Sequence, residues 1–213
     1  MDKISIVDYG VGNLLSVKRG LQACGAEVEI VSDCKNLSES RKVVLPGVGA
    51  FSTAMRTLDD LGFSEILKDL AFNDVPFLGT CLGMQLLFDK SEEFGINAGL
   101  GILSGKVVKL PSLSKSNNKI KVPHIGWSPL VPSVQSDPFF KQANIWKQKR
   151  EYAYFVHSFQ VNPKRDDLEV AHTLFGGYRI CSIVRSNKIV ACQFHPEKSA
   201  GFGLKVLSDF CDV

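Results

Sequence analysis

Three short segments hold residues whose types and spacing suit covalent chemistry. The first is Gly79-Thr80-Cys81-Leu82-Gly83, a cysteine between small neighbours where an apolar run gives way to a helical pattern. A nucleophile on a sharp strand-to-helix turn needs small residues on either side, because the turn pushes its side chain outward and bulk beside it would clash. The turn also sets the sulfur near the positive end of a helix, which favours thiolate over thiol. It aims the backbone N–H of Leu82 where an oxyanion could form. The bland alternative is a buried cysteine between two chance glycines.

A nucleophile needs a base, and the histidines are His124, His157, His172 and His195. Only His195 stands just past a strand pattern with an acid close by, in Gln193-Phe194-His195-Pro196-Glu197. Pro196 biases His195 toward an extended backbone, and residues two apart in an extended stretch face the same side. Glu197 can therefore hold one ring nitrogen of His195 and leave the other for Cys81, the nucleophile–base–orienter arrangement of a triad. The third segment is Pro46-Gly47-Val48-Gly49. Its glycines permit positive φ and close backbone approach, so Val48 and Gly49 are a second source of oxyanion donors. Taken singly, the second and third segments read as plain turns.

These segments must be positioned by something, and the pattern supplies it. Ile4-Ser5-Ile6-Val7, Val28-Glu29-Ile30-Val31, Lys42-Val43-Val44-Leu45 and Val75-Pro76-Phe77-Leu78 read as buried strands. Between them, Leu14, Val17, Leu21 and Cys24 recur at helical spacing, as do Phe51, Met55 and Leu58, and then residues 63–72. A further helix begins over residues 82–88. Strands alternating with helices predict a parallel sheet covered on both faces. In the second half, residues 106–110, 152–156, 170–175, 180–184 and 189–193 are closely spaced strands, an antiparallel addition to the same unit. A helix over residues 201–210 closes the chain. The fold class is therefore α/β: a mostly parallel central sheet flanked by helices, with an antiparallel β extension in the C-terminal half. One domain over residues 1–213 is expected.

Composition narrows the function classes. With 25 Lys+Arg against 22 Asp+Glu, the net charge of +3 is too weak to argue for nucleic acid. No apolar run approaches the ~20 residues of a membrane span, and no export signal opens the chain. The six cysteines form no CxxC pair, so free thiols in a reducing cytoplasm are expected. Residues 106–124 contain five lysines and no acid, which reads as a solvated loop. A metal site from Cys192 and His195 lacks further ligands at usable spacing, and no cofactor is expected. A dinucleotide fingerprint at Gly10-Val11-Gly12 fails because Leu15 occupies the third glycine position.

Together the segments resemble the class I (triad) glutamine amidotransferases over nearly the whole chain. Asp8-Tyr9-Gly10-Val11-Gly12-Asn13-Leu14, Pro123-His124-Ile125-Gly126-Trp127, Tyr154-Phe155-Val156-His157-Ser158 and Cys81-Leu82-Gly83-Met84-Gln85-Leu86-Leu87 narrow the likeness. They are similar to the branch of glutaminase subunits that serves histidine biosynthesis. The resemblance implies Cys81 as nucleophile on glutamine, His195 as proton carrier and Glu197 as its orienter. It implies Gly49, Gln85, Glu93, His157 and Ser158 as glutamine-binding residues. The implied partner is a (β/α)8-barrel cyclase subunit, bound as a heterodimer through Asn13, Pro123, Ile125, Trp127 and Lys198 and fed ammonia through a channel. Three positions depart from the usual pattern: Thr80 for isoleucine, Ser128 for asparagine and Phe159 for tyrosine. Two other readings stay open: a paralogue that supplies ammonia for sugar amidation in surface polysaccharide, and a cysteine hydrolase of the same fold without ammonia transfer.

Overall fold

The computed structural model describes residues 3–143 and 151–213. The first part alternates β1 (Ile4–Val7), α1 (Leu14–Ala23), β2 (Val28–Val31), α2 (Cys34–Ser38), β3 (Val43–Leu45), α3 (Phe51–Asp60), α4 (Phe63–Phe72), β4 (Phe77–Thr80) and α5 (Leu82–Leu86). Short strands β5 (Phe88–Ser91) and β6 (Asn97–Ala98) lead into β7 (Leu103–Lys109), β8 (His124–Pro129) and β9 (Val131–Pro132). Then come β10 (Tyr152–His157), β11 (Phe159–Pro163), β12 (Glu169–Phe175), β13 (Tyr178–Ser186), β14 (Ile189–Cys192) and α6 (Ala200–Cys211).

The main sheet has eight strands in the order β2-β1-β3-β4-β14-β13-β12-β9. From β2 to β14 every pairing is parallel; from β14 to β9 every pairing is antiparallel. All four residues of β1 and of β4 are buried, the polar Ser5 and Thr80 included, as in parallel strands covered on both faces. One face is covered by α3 and α4 through Phe51, Met55, Leu58, Phe63 and Leu67. The other is covered by α1 and α6 through Val17, Leu21, Phe202, Val206, Leu207 and Phe210. Each such side chain adds about 1.5–3 kcal/mol of burial.

Three expectations change. The 189–193 run is antiparallel on one side only: β14 is the hinge of the sheet, antiparallel to β13 and parallel to β4. The 106–110 run lies in a second sheet, ordered β11-β7-β5-β6, and the 152–156 run pairs with β8 in a two-stranded ribbon. The helix after Cys81 stops at Leu86, because Phe88–Ser91 pairs in parallel with β7. That partner lies far along the chain, and local periodicity cannot reveal it.

Two glycines close the sheet against α5. A Cβ on Gly83 would lie 1.8 Å from the Leu45 carbonyl oxygen, and one on Gly79 would lie 3.1 Å from the Gly83 carbonyl carbon. The neighbour of Gly83 is backbone of a central strand and has no room to yield. Gly83→Ala is expected to lower Tm by about 10 °C or prevent folding. Thermal unfolding checks this; a Tm within about 2 °C of the parent would show that the Leu45 carbonyl moves freely.

Candidate active site

The end of β4 and the start of α5 meet at Cys81, which has φ 54° and ψ −112°. A non-glycine residue at positive φ costs of order 1–3 kcal/mol and persists only where its surroundings over-determine it. Here they do: the Cys81 N–H donates to the Cys192 carbonyl at 2.8 Å, while its own carbonyl accepts from Met84 and Gln85 in α5. The sulfur faces a cleft of about 310 Å³, also lined by Val48, Gly49, Leu82, Gln85, Glu93, Pro123, His157, Ser158 and His195. That is the small end of the range for ligand pockets and suits a ligand of amino-acid size. All five residues expected to bind glutamine line it, as do the three expected oxyanion donors. Leu82 is the first residue of α5, so its N–H has no intrahelical partner.

His195 follows β14, and two contacts lock its turn to β10. Its N–H donates to the Tyr154 carbonyl at 3.1 Å. The Ser199 hydroxyl donates to the His195 carbonyl at 2.7 Å and accepts from the Tyr154 N–H at 2.9 Å. The ring Nδ1 lies 2.9 Å from Glu197 Oε1. The extended stretch expected to align these two residues is not the cause, because Pro196–Lys198 is a single 3-10 turn. Proline, with φ already near the helical value, starts that turn, and the turn swings Glu197 back under the ring. His195 Nε2 and Glu197 Oε2 are the buried side-chain nitrogen and oxygen atoms left without a hydrogen-bond partner among the described residues.

Electrostatics separate His195 from His157 and His124. Burial opposes a charge on His195, but the neighbouring Cys81 sulfur and the Glu197 carboxylate outweigh it and push the ring up to about 10. Burial pushes His157 down to about 3 and His124 down to about 4. Those two rings therefore stay neutral, and their tautomers follow from one carbonyl. The Phe159 carbonyl can only accept, so His157 Nδ1 donates to it at 2.8 Å. His157 Nε2 then accepts from His124 Nδ1 at 3.1 Å, and His124 Nε2 accepts from the Ser128 hydroxyl at 2.8 Å. Both ring nitrogens of His157 are thus taken by protein partners.

Other cleft residues also have structural partners. Glu93 Oε2 accepts the Phe51 N–H at 2.7 Å and caps α3, whose own N-cap residue, Ala50, makes no side-chain cap bond. Gln85 Nε2 donates to the Phe159 carbonyl at 3.1 Å and to Gln193 Oε1 at 3.0 Å. Tyr9 and Gln193 stand in the quoted motifs without an assigned role. The buried Tyr9 hydroxyl donates to the Pro46 carbonyl at 2.8 Å. Burial, and to a lesser degree the charge of Cys81, raises its pKa. A Cβ on Gly47 would lie 2.5 Å from that hydroxyl, so Tyr9 and Gly47 set the height of the loop that ends in Gly49, itself at φ 93°. A polar aromatic in the turn just after a buried strand was the signal available for Tyr9.

Of the residues expected at a partner surface, Ile125 and Trp127 are 58% and 52% exposed on β8. Trp127 pairs in register with Tyr154, and their rings meet edge-on at 5.9 Å. Asn13 and Lys198 are exposed on other elements, and Asn13 also caps α1 by accepting from Ser16 at 3.3 Å. Pro123 is half-buried at the cleft.

A strained cysteine at a strand–helix junction, a carboxylate-held imidazole and a glycine-rich loop on one α/β sheet define a class, and comparison with known proteins agrees. The chain belongs to the class-I glutamine amidotransferase family, whose model matches residues 5–212. It is similar to the imidazole glycerol phosphate synthase subunit HisH of Caldanaerobacter subterraneus subsp. tengcongensis, with 44% identity over 99% of this chain and 98% of that one. It is also similar to subunit HisH 1 of Legionella pneumophila (strain Lens), with 41% identity over the full length of both. Among solved structures, a glutamine amidotransferase superposes with TM-score 0.73 at 17% identity, covering 99% of each chain. PurLQS from Thermotoga maritima gives 0.70 at 17% identity, covering 100% of this chain and 99% of that one. At such identities the structures show the fold alone.

The histidines set opposing pH limbs. His195, raised above the ordinary 6.5 to about 10, contributes stability that is complete below pH ~6.5 and lost as pH rises through about 10. His157 and His124, lowered to about 3 and about 4, take up protons on unfolding below pH ~6.5, so stability falls as pH drops from there. Urea unfolding across pH is expected to show both limbs, with the alkaline limb shallower in Glu197→Gln. An unchanged alkaline limb in that variant would remove Glu197 from control of His195.

Proposed function

We propose that this chain is a glutaminase subunit that supplies ammonia to a (β/α)8-barrel cyclase in imidazole-ring synthesis for histidine. The observation that carries the reading is the buried, unpartnered Nε2 of His195 beside Cys81, with Nδ1 held by Glu197. In this reading the Cys81 thiolate attacks the side-chain amide carbon of glutamine, and the carbonyl oxygen becomes an oxyanion facing the N–H groups of Leu82, Val48 and Gly49. The C–N bond then breaks as His195 passes its Nε2 proton to the leaving nitrogen, so ammonia departs and a γ-glutamyl thioester remains. Neutral His195 next takes a proton from water as the water adds to the thioester. The C–S bond breaks, glutamate leaves, and the thiolate–imidazolium pair returns. Glu197 holds the ring orientation throughout.

Gly49, Gln85, Glu93, His157 and Ser158 hold the glutamine, and the whole chain acts as one domain without a cofactor. Similarity to HisH subunits over the full chain supports the choice of acceptor. The exposed pair Ile125 and Trp127, with Asn13, Pro123 and Lys198, forms the docking face for the cyclase in a heterodimer. Ammonia released into water is mostly protonated and no longer a nucleophile, so delivery must be sealed. A glutaminase of this kind gains from being slow until its acceptor site is filled, a coupling between two sites. All six thiols are free, and no described helix is long and apolar enough to cross a membrane. Both suit a cytoplasmic enzyme.

Glutamine turnover, measured with a histidine-pathway cyclase and its ribonucleotide ligand, tests the assignment. Stimulation supports it; no stimulation hands the ammonia to another acceptor. Under the same conditions Cys81→Ala is expected to abolish turnover while keeping the fold. His195→Ala is expected to cut it by at least ~100-fold, and a fall of less than ~10-fold would assign the proton carrier elsewhere. Trp127→Ala is expected to weaken cyclase binding and activation at least ~10-fold with glutamine KM nearly unchanged. Unaltered complex formation, measured by calorimetry, would take Trp127 out of the interface.

A further inference from the structure

Gln193 and Gln85 meet at the wall of the cleft, and a single backbone carbonyl decides which way both amides point. The Phe159 carbonyl only accepts, so Gln85 must turn its –NH2 end toward it, at 3.1 Å. The other hydrogen of that nitrogen goes to Gln193 at 3.0 Å, so Gln193 must present its carbonyl oxygen there. The –NH2 end of Gln193 is then left facing Cys81, with Nε2 3.9 Å from the sulfur. Gln193 is fully buried, and its backbone N–H is tied to the Ser182 carbonyl at 2.9 Å, so neither its main chain nor its amide is free to turn. With both amide hydrogens of Gln85 taken, its Oε1 is the group left over. It accepts no hydrogen bond from the described residues and is not among the sealed, unpartnered atoms, so it opens to the cleft that Gln85 lines.

We propose that Gln193 is a positioning residue for the reaction. It fixes the Gln85 amide with its oxygen toward the ligand, where that oxygen accepts an N–H of glutamine, and it turns a weak N–H toward the nucleophilic sulfur. This rests on the glutaminase reading above. A flipped Gln85 would face the ligand with an –NH2 group and the Phe159 carbonyl with an oxygen, losing both bonds at once. The Gln193 acceptor adds to the Phe159 carbonyl in excluding that alternative. Because the N–H···S contact is long, the main effect falls on ligand binding and not on sulfur ionisation.

The test is steady-state glutamine hydrolysis by the full chain with its activating cyclase. Gln193→Leu removes the acceptor and is expected to raise glutamine KM about tenfold while kcat falls less than about threefold, the split for lost ground-state binding. Gln193→Glu keeps an acceptor for Gln85 whether or not it is ionised, and is expected to return KM to within about threefold of the parent. A residue that merely fills the core would give neither the split nor the rescue. A KM within about twofold of the parent in Gln193→Leu, or no rescue in Gln193→Glu, overturns the proposal. If Gln193→Leu does not fold, Gln193→Met, of similar length, takes its place. Failure of the parent to hydrolyse glutamine above the Cys81→Ala blank would instead overturn the glutaminase reading itself.

Discussion

The backbone at Cys81 is bent into a conformation that an L residue adopts only under compulsion, and most of the architecture around it supplies that compulsion. The bend at φ 54° exists because β4 is held between β3 and β14 in parallel register while α5 must start at once. The start of α5 is pressed so closely on Leu45 that position 83 accepts no Cβ. Strain of order 1–3 kcal/mol is sustained by a two-sided core worth far more. The sheet therefore does more than carry the cysteine. It forces the sulfur out of the strand plane and into the cleft, and it leaves the Leu82 N–H without an intrahelical partner beside it.

Around that point the polar groups are wired by β10. Its residue Tyr154 holds the His195 turn by carbonyl and, through Ser199, by N–H. The Tyr154 ring touches Trp127 on the exposed face, and further along the strand the Val156 carbonyl lies 3.9 Å from the Cys81 sulfur. One strand thus spaces the imidazole, the sulfur and the outer aromatic pair. Buried polar networks of this sort are stiff when satisfied and costly when not, and among the described residues the buried side-chain atoms left unsatisfied are His195 Nε2 and Glu197 Oε2.

Two histidines of the cleft, and His124 bonded to one of them, experience different physics. His157 and His124 have only neutral partners, so desolvation decides and both stay uncharged. His195 is also desolvated, yet a carboxylate and a sulfur beside it reverse the outcome. Residue type cannot distinguish them; the neighbours do. The same logic sorts the acids: Glu197 is spent on an imidazole, whereas Glu93 is spent on the first N–H of α3.

Much of the site was legible in the chain because its chemistry depends on short-range spacing. Gly79, Cys81 and Gly83 announce a tight strand–helix turn, His195-Pro196-Glu197 announces a base with an acid in reach, and buried parallel strands show as short, mostly apolar runs. What stayed hidden involves partners distant in sequence. The role of β14 as the hinge between parallel and antiparallel halves, the early end of α5, the Tyr9 clasp on Pro46, the His157–His124–Ser128 chain and the Gln193–Gln85 amide pair each join residues from separate elements. Local pattern records which side chains a segment offers and roughly how its backbone runs. Hydrogen-bond direction, ring charge and the choice of sheet neighbour are set by what lies opposite, and only the folded chain decides that.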